Sequence, residues 1–427
     1  MKILTNPPEV NWPGLIKRPQ LELEFLESAV RNTLNRVRLS GDRALRELTM
    51  QFDGVDLRTI KVTVQEFDHA NSVLDQSLRS AIQVAASNIR KFHELQKREI
   101  LKIETMPGVS CWRKSVPIQK VGVYIPGGTA PLFSTVLMLG IPASLAGCKE
   151  VILCTPPNKD GTIHPAILYA AAQSGIKDVF KVGGAQAIAA MAFGTETIPA
   201  VYKVFGPGNQ YVTKAKQMVN QDGIAIDLPA GPSEVMVIVD ASADASFVAS
   251  DLLSQAEHGP DSQVVLISLS EPKVKEVNIE LERQLSLLPR QEIARQALQN
   301  SLSIYFSNEN TALAFVNDYA PEHLIINTRN CDQLSEDVVN AGSVFLGPWS
   351  PEAIGDYASG TNHTLPTNGH AKAYSGVSLE SFTKTITYQQ LTSAGFQTLG
   401  PFVEIMAEAE QLAGHKRAIS TRLNKLL

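Results

Sequence analysis

A glutamate and a histidine are adjacent in the sequence APEHLIIN, immediately before an apolar run. Glu322 and His323 are therefore predicted at the entrance of a buried strand. Histidine titrates near neutral pH and is the usual general base, while a glutamate can activate water. The pair is a candidate for proton transfer, although adjacent glutamate and histidine residues are also common on solvated surfaces.

A second group of side chains could bind a metal ion. Gln255 and His258 are three residues apart in the predicted helix SFVASDLLSQAEHGPDS, so they lie on one face about one turn apart. An amide oxygen and an imidazole nitrogen at this spacing can chelate a divalent ion such as zinc. The alternative is a histidine that interacts with the C-terminal end of its helix. Asp356, in the polar loop GDYASGTNH, is a further candidate ligand, and His363 in the same loop either supports a ligand or faces solvent.

Another glutamate and histidine lie near the end of the chain, in EAEQLAGHKRA. Glu410 and His415 are five positions apart, so on an unbroken helix they would diverge by about 140°. Either Gly414 breaks the helix and lets the two side chains converge, or they have different roles. A surface helix terminus without a function is the alternative.

Three glycine-rich turns follow predicted strands, at residues 126–129 (PGGT), 183–186 (GGAQ) and 206–209 (GPGN). Each precedes a predicted helix, whose free amide groups and dipole favour an anion such as a pyrophosphate. None is the GxGxxG fingerprint, and a glycine at one such turn usually only reverses the chain. Because the three turns lie at one edge of one sheet, together they favour nucleotide or phosphate binding. A fourth turn, residues 229–234 (PAGPSE), carries Ser233, which either orients a ligand or closes the turn.

The elements that must position these residues alternate between strands and helices after a helical start. Apolar spacing predicts helices within residues 23–57, with a break at 40–42, and over 78–95, followed by a short hairpin after residue 106. His69, His93 and His164 are predicted on the surface of this region and of the next. Two series of apolar strands follow, and their β-branched runs are typical of buried parallel strands. The predicted strands are 121–125, 151–154, 179–182, 201–204, 235–239, 263–268, 302–306, 323–326 and 343–346.

Composition excludes several classes of protein. The 427 residues carry a net charge of −5, so there is no overall basic charge to attract nucleic acid. Four cysteines without CxxC pairing fit a reducing compartment, which predicts a cytoplasmic protein, and no secretory signal is expected. Residues 121–148 carry no charge, but their three prolines predict a strand, a turn and a buried helix instead of a membrane span.

A series of motifs resembles, in order and spacing, the histidinol dehydrogenase family. The motifs are VGVYIPGGTAPLFSTVLML, VGGAQAIAAMAFGT, FGPGNQYV, DLPAGPSEV, DLLSQAEHGPDSQ, APEHLI, AGSVFLG, GDYASGTNHTLPT and GHKRA. The resemblance covers nearly the whole chain. It implies a zinc-dependent, NAD-dependent homodimer that oxidises L-histidinol through L-histidinal to L-histidine, using two NAD⁺ in the last two steps of histidine biosynthesis.

The resemblance also implies a role for each candidate residue. His323 is implied as the general base, and Glu322 as the group that activates water for hydration of the aldehyde. One zinc ion per subunit is implied, with the ligands Gln255, His258, Asp356 and His415. The implied cofactor contacts are Tyr124, Gln186 and Asn209, and the implied substrate contacts are Ser233, Gln255, His258, His323, Asp356, Glu410 and His415.

The predicted fold is an α/β protein with two Rossmann-like open twisted sheets and helical N-terminal and C-terminal segments. The predicted boundaries give an N-terminal helical segment (1–25), a first α/β domain (26–123 and 234–378), a second Rossmann-like domain on the NAD side (124–233), and a helical tail (379–427). The resemblance implies that this tail reaches the partner subunit, so that Glu410 and His415 complete the partner's site.

Two other functions remain open from the residues. A thiol-dependent aldehyde dehydrogenase would need one of the cysteines as its nucleophile, whereas the resemblance implies that Cys111 and Cys154 are buried and inert. A non-catalytic α/β module could hold a small anion at the glycine turns. Such a module would have no need of the Glu322–His323 pair.

Overall fold

The computed structural model describes residues 1–19, 26–127, 130–228 and 231–426. Gly128 and Thr129 of the first glycine turn, and Pro229 and Ala230 of the fourth, therefore lie outside the described residues. In the first half of the described chain the elements are β1 (Lys2–Thr5), α1 (Trp12–Leu15), α2 (Leu26–Asp53), α3 (Val64–Val73), α4 (Gln76–Glu94), β2 (Lys102–Met106), β3 (Val109–Pro117), β4 (Lys120–Tyr124), α5 (Phe133–Ala146), β5 (Glu150–Cys154), α6 (Pro165–Ser174), β6 (Asp178–Phe180), α7 (Gly184–Phe193), β7 (Lys203–Phe205), α8 (Gln210–Gln221) and β8 (Ala225–Ile226). In the second half they are β9 (Glu234–Val239), α9 (Ala245–Ala256), β10 (Gln263–Ser268), α10 (Glu271–Leu285), α11 (Gln291–Gln299), β11 (Leu302–Tyr305), α12 (Glu309–Tyr319), β12 (His323–Asn327), α13 (Cys331–Glu336), β13 (Ser343–Leu346), α14 (Glu352–Tyr357), β14 (Thr383–Leu391), α15 (Ser393–Ala409) and α16 (Ala413–Leu426).

Two parallel sheets form the body of the protein, as predicted. One has five strands in the order β6-β5-β4-β7-β8, and the other has six in the order β1-β11-β10-β9-β12-β13. All pairings within both sheets are parallel. The α/β fold class is therefore confirmed, and every predicted strand end lies within two residues of the observed one.

The central strands are apolar on both faces because each sheet lies between two helical layers. In β9, all six residues are buried. Val235, Val237 and Val239 contact one apolar cluster, whereas Met236 and Ile238 contact the cluster on the opposite face. Successive strand residues point to opposite faces, so a strand covered on both sides has no polar alternation. This explains why the sequence predicted these strands well.

A third sheet was not predicted. It is antiparallel, in the order β14-β3-β2. The hairpin predicted after residue 106 is displaced, because its first strand, β2, precedes residue 107 and β3 follows the turn at residues 107–108. The predicted all-helical tail is wrong at β14, which pairs with the whole of β3 before α15 and α16 begin. The predicted helical segment 1–25 is likewise wrong at β1, which pairs in parallel with β11. Neither strand has a regular alternation of apolar and polar residues, and each is held in its sheet by pairing with a strand that is distant in sequence.

The predicted domain boundaries also differ from the packing. Residues 26–123 were assigned with residues 234–378, but α2 packs on α7 and α8, α3 on α6, and α4 on α5. These three helices therefore cover the five-stranded sheet. The predicted boundary at 123/124 would also divide β4, which pairs with β5 and β7 in that sheet. Helix packing is decided by side chains that are distant in sequence, so the order of elements alone did not reveal it.

Helix α2 contains the predicted break at residues 40–42. Gly41 has a φ of 48° within the helix, a conformation that L side chains rarely adopt, and the helix changes direction there. Among the described residues, none of the helices has both the length and the apolar character of a membrane span.

His93 is buried, so its predicted surface position is wrong. Its side chain is 0% exposed at the end of α4, and its Nδ1 donates to the carbonyl oxygen of Ile89 at 2.8 Å. Burial lowers the pKa of the ring, although the hydrogen bond opposes this shift. The folded protein therefore holds His93 neutral at a pH where the unfolded chain begins to charge it.

We expect this residue to contribute to acid destabilisation. A ring whose pKa is lowered by folding gives its full stability above the unfolded pKa, about 6.5, and loses it as the pH falls. In His93→Gln the fall in unfolding free energy between pH 7 and pH 5 should be smaller than in the original protein, by at most about 1.4 kcal/mol for each pH unit below 6.5. Urea unfolding at both pH values measures the difference, with the exposed His69→Gln as the control. An identical pH dependence in His93→Gln and the original protein would contradict the assignment.

Candidate active site

The predicted proton-transfer pair lies at the amino end of the six-stranded sheet. Helix α12 ends at Tyr319, the chain turns through Ala320 with a φ of 55°, and β12 begins at His323. The register places His323 beside Val235 of β9. Glu322 and His323 are 6% and 3% exposed, so the solvated alternative for this pair is excluded.

The peptide groups of one residue hold both side chains. The backbone N–H of Glu234 donates to Glu322 Oε2 at 2.8 Å. His323 Nδ1 donates to the carbonyl oxygen of Glu234 at 3.1 Å, since a carbonyl can only accept. The proton of a neutral ring is thereby assigned to Nδ1, and Nε2 is left with its lone pair. Nε2 lies 3.3 Å from Asp356 Oδ1.

Three side chains near this histidine could bind a cation. Ligand atoms of His258, Glu352 and Asp356 all lie within 4.8 Å of one another. His258 follows α9, and the two acidic residues lie on α14. Two of the predicted metal ligands, from segments about a hundred residues apart in sequence, are thus brought together by the fold.

Gln255, three residues before His258, is a further candidate ligand. Its side chain is 1% exposed, and neither amide atom has a hydrogen-bond partner among the residues that the structure describes. An amide buried without partners costs free energy, so this arrangement is typical of a group that binds a ligand. Gln255 lies at the end of α9, where its backbone carbonyl oxygen accepts from the backbone N–H of His258 at 3.2 Å.

The charges at the site are unbalanced. Burial opposes a charge on His323, but the carboxylates of Glu352 and Glu322 hold the pKa of its ring well above the ordinary value. Burial raises the pKa of Glu352 well above its usual range, and neighbouring carboxylates add to the effect. Burial also opposes the charge on Asp356, yet contact with the His323 ring lowers the pKa of that carboxyl. Three acidic side chains around one histidine favour a bound cation.

His363 supports Asp356 and does not face solvent. Its Nδ1 lies 2.8 Å from the backbone carbonyl oxygen of Asp356, and its Nε2 lies 3.0 Å from Thr135 Oγ1. Burial lowers the pKa of the His363 ring. Of the two alternatives left open by the sequence, the structure favours a supporting position beside a candidate ligand.

Two predicted site residues lie apart from this cluster. Glu410 and His415 are both exposed, the first after α15 and the second in α16. The helix is broken at Gln411, with a φ of 59°, whereas Gly414 lies inside α16. The alternative in which Gly414 breaks the helix is therefore excluded, and the two side chains do not join the candidate metal ligands within one chain.

The glycine turns lie at the carboxyl edge of the five-stranded sheet. They follow β4, β6 and β7, which are parallel, so the predicted common edge is confirmed for the described residues. Gly206 has a φ of 122°, and a Cβ there would lie 2.0 Å from the carbonyl oxygen of Tyr124. The close approach of these two turns therefore requires glycine at this position.

The predicted cofactor contacts are placed around this edge. The Tyr124 hydroxyl accepts from the N–H of Gly184 at 3.0 Å, which leaves its own hydrogen free to donate. Gln186 is buried in the first turn of α7. Asn209 caps α8, because its Oδ1 accepts from the N–H groups of Tyr211 and Val212 at 3.1 Å. Ser233 is half-buried and directly precedes Glu234.

Comparison with known proteins gives the family. A family model described as histidinol dehydrogenase matches residues 16–423. The chain belongs to the histidinol dehydrogenase family. It is 56% identical over 426 residues to the histidinol dehydrogenase of Bacteroides thetaiotaomicron, covering 100% of both chains. It is 51% identical to that of Vibrio cholerae, covering 98% of this chain and 97% of the relative. The crystal structure of histidinol dehydrogenase from Elizabethkingia anophelis superposes with a TM-score of 0.98 at 54% identity, covering 100% of this chain and 98% of that one.

The cysteines of this histidinol dehydrogenase family member argue against a thiol nucleophile. All four are free, and Cys154 is fully buried in β5. Burial raises the pKa of the Cys148 thiol to about 11 and raises that of Cys154 further. Cys111 is half-buried in the third sheet, so its predicted burial is only partial. None of the four cysteines is part of the acidic cluster, the group formed by His258, Glu352 and Asp356.

Some residues of the site were missed from the sequence. Glu352 was not among the predicted ligands, although it is four residues before Asp356 and so lies on the same face of α14. That spacing was the available signal. Arg18 and Glu234 gave none, because they are 216 residues apart and meet only in the folded protein.

Proposed function

We propose that this chain oxidises L-histidinol through L-histidinal to L-histidine with two NAD⁺, at a zinc site beside His323. Membership of the histidinol dehydrogenase family makes the protein an oxidoreductase of histidine biosynthesis that acts on histidinol with NAD⁺. The observation that carries the detailed proposal is the buried His323, whose Nδ1 donates to a fixed carbonyl and whose Nε2 faces the acidic cluster. The neighbouring carboxylates raise the pKa of this ring, and a bound zinc ion would offset their charge and leave Nε2 able to act as a general base.

The residues present fit a zinc ion. Gln255 offers an unpartnered buried amide, Asp356 Oδ1 is buried without a hydrogen-bond partner in the described part of the chain, and His258 offers an imidazole nitrogen. Nitrogen and oxygen donors of this kind bind zinc. A bound zinc ion would fix the imidazole and amino nitrogens of the substrate and offset the negative charge of the cluster. Glu352 stands in the same group and is an additional candidate ligand.

In the first oxidation, His323 Nε2 removes the proton of the substrate hydroxyl as a hydride passes from the same carbon to NAD⁺. The products are histidinal, NADH and the protonated ring. The carbonyl oxygen of Glu234 holds the ring by its Nδ1–H, so Nε2 keeps its direction throughout. The low exposure of Glu322 and His323 keeps bulk water away from the aldehyde.

In the second oxidation, a water molecule adds to the aldehyde carbon and Glu322 accepts its proton. The protonated His323 ring returns its proton to the carbonyl oxygen, which completes the gem-diol and restores Nε2 as a base. The gem-diol then loses a hydride to a second NAD⁺ while Nε2 takes one hydroxyl proton, and the acid so formed releases its last proton to solvent, which leaves the carboxylate of histidine. Glu322 Oε2 is held by the N–H of Glu234, so the other carboxylate oxygen remains for water.

The proposed cofactor side is the carboxyl edge of the five-stranded sheet. Tyr124, Gln186 and Asn209 are the proposed contacts of NAD⁺, and Ser233 is the proposed substrate contact at the start of β9. The free hydrogen of the Tyr124 hydroxyl supports a donor role there. Ligand binding at this edge agrees with the general behaviour of open parallel sheets.

The site is proposed to be completed by a second copy of the chain. Helix α15 exposes Phe402, Ile405 and Met406, whose side chains are 60%, 66% and 64% accessible. A contiguous apolar face of this kind is typical of an interface. Glu410 and His415 directly follow it, so a homodimer in which the tails cross would bring them to the partner's cluster. The four free cysteines support a reducing, cytoplasmic location.

The number of NADH molecules formed per histidinol consumed tests the proposed function. Two NADH are expected for the original protein. In Glu322→Gln the amide oxygen can still accept from the N–H of Glu234, but the side chain can no longer take a proton from water. The first oxidation should persist while the second slows by about 10²-fold or more, so that the yield falls towards one and histidinal accumulates.

Glu309→Gln is the control, since Glu309 is an exposed glutamate at the start of α12. Its yield should remain at two. A yield of one from the original protein would limit the activity to an alcohol dehydrogenase, and a yield of two from Glu322→Gln would show that another group activates the water.

A further inference from the structure

Arg18 and Glu234 form a buried ion pair that has no role in the proposed reaction steps. Arg18 Nε and Nη2 donate to the two carboxylate oxygens of Glu234 at 3.0 and 2.9 Å, in a bidentate arrangement. The side chains are 5% and 0% exposed. The guanidinium carbon lies 3.5 Å from the centroid of the Tyr319 ring, so the pair is also covered by an aromatic face.

The same arginine binds the segment that leads into the proton-transfer pair. Its Nη2 donates to the carbonyl oxygen of Tyr319 at 2.6 Å. Tyr319 is the last residue of α12, and the chain then turns through Ala320, whose φ of 55° is unusual for a residue with a side chain. One guanidinium therefore joins this strained turn to the carboxylate of Glu234.

Glu234 in turn holds both proton-transfer side chains through its peptide groups. Its N–H donates to Glu322 and its carbonyl oxygen accepts from His323. Its carboxylate also accepts from the backbone N–H of Asn368 at 2.5 Å. The position of Glu234 is therefore fixed from the side of its carboxylate, and the positions of Glu322 and His323 are fixed from its backbone.

Stability alone gives a weak reason for such a pair. Removing two charges from water costs about as much free energy as their mutual attraction returns, so neutral side chains of similar shape are often tolerated equally well. Displacement of a catalytic group by about 1 Å, in contrast, can lower a rate about 10²-fold.

We propose that Arg18 and Glu234 are positioning residues for the reaction, and that their ion pair sets the placement of Glu322 and His323. The inference rests on the proposed function of those two residues. Arg18 follows α1 and lies outside the strands of the six-stranded sheet, so the proposal gives a role at the site to a residue of the N-terminal segment.

The double variant Arg18→Met/Glu234→Gln tests the proposal, because it removes the ion pair while leaving neutral side chains of similar size. We expect a folded protein whose KM for NAD⁺ stays within about twofold and whose zinc content is unchanged, but whose kcat is lower by about tenfold or more. The yield of NADH per histidinol should also fall below two, because Glu322 is displaced together with His323. Arg18→Lys keeps the charge but loses the bidentate contact, so it should recover part of the lost kcat.

Arg283→Met/Glu280→Gln is the matched control. Arg283 Nε and Nη2 donate to the two carboxylate oxygens of Glu280 at 2.8 and 2.6 Å, the same bidentate arrangement on the exposed surface of α10. This control should keep the original kcat and NADH yield.

A folded Arg18→Met/Glu234→Gln protein with kcat and NADH yield unchanged, and only a lower melting temperature, would overturn the proposal. If the double variant does not fold, Arg18→Lys decides: a lower kcat at unchanged KM for NAD⁺ supports the proposal, and an unchanged kcat overturns it. The original protein is measured in the same assay. Failure of the proposed function would appear as absent histidinol oxidation there, whereas failure of this inference would appear only in the variants.

Discussion

Replacement of His323 by asparagine should lower kcat for histidinol oxidation by about 10²- to 10⁴-fold, the usual contribution of a general base. Asparagine keeps a small polar side chain with an N–H that can donate to the carbonyl oxygen of Glu234. It has no atom that can accept a proton at the position of Nε2. Because His323 is proposed to act in both oxidations, oxidation of added histidinal should fall as well. Steady-state NADH formation from each substrate measures the two effects.

The exposed His69→Asn is the control for this substitution, and it should leave both rates unchanged. Binding of histidinol should persist in His323→Asn, since the proposed zinc ligands Gln255, His258 and Asp356 are intact. A variant that binds substrate and retains the original turnover would show that His323 is not the base. A variant that loses only histidinal oxidation would assign it to the second step alone.

The proposed exchange of C-terminal tails predicts that two inactive proteins restore activity when their subunits are mixed. His415→Ala removes a proposed zinc ligand from the tail, and His323→Asn removes the base from the body of the protein. A mixed dimer has one site with both defects and one site with neither. Random exchange makes half of the dimers mixed, so about a quarter of the original activity should return.

The measurement is NADH formation after the two variants are unfolded together and refolded, with each variant refolded alone for comparison. His415→Ala by itself should also bind less zinc. Mixing His415→Ala with Glu410→Ala is the control, because both changes lie on the tail and no intact site can form. The absence of recovery in the first mixture, with normal dimers present, would show that each tail serves its own chain.

The sequence predicted the parallel strands well because these strands are buried on both faces. β9 and β10 are apolar at nearly every position, and such runs have one plausible place in an α/β protein. β1 and β14 were missed because their residues are mostly exposed and their pairing partners lie hundreds of residues away. For an exposed strand, hydrogen bonds to a distant neighbour decide the structure, and these leave no periodic pattern.

The residues of the candidate site likewise divide into those with a local signal in the sequence and those without one. The Glu322–His323 pair and the Gln255–His258 spacing were visible because each is a local arrangement of chemically capable groups. Glu352 carried a weaker local signal through its spacing from Asp356. The placement of Glu410 and His415 follows from neither local pattern nor the packing of one chain, since both side chains are exposed.

The order of amino acids alone determined the family, the two parallel sheets and most of the groups proposed to do chemistry, because local spacing and long apolar runs record them directly. Only the tertiary structure decided which of those groups meet. It also decided that α2, α3 and α4 cover the five-stranded sheet, and that Arg18 binds Glu234 next to the proton-transfer pair. The reason is physical: the geometry of a site depends on the packing of sheets and helices from distant parts of the chain. A charge or an amide acquires its role only when burial removes water and a particular neighbour takes its place.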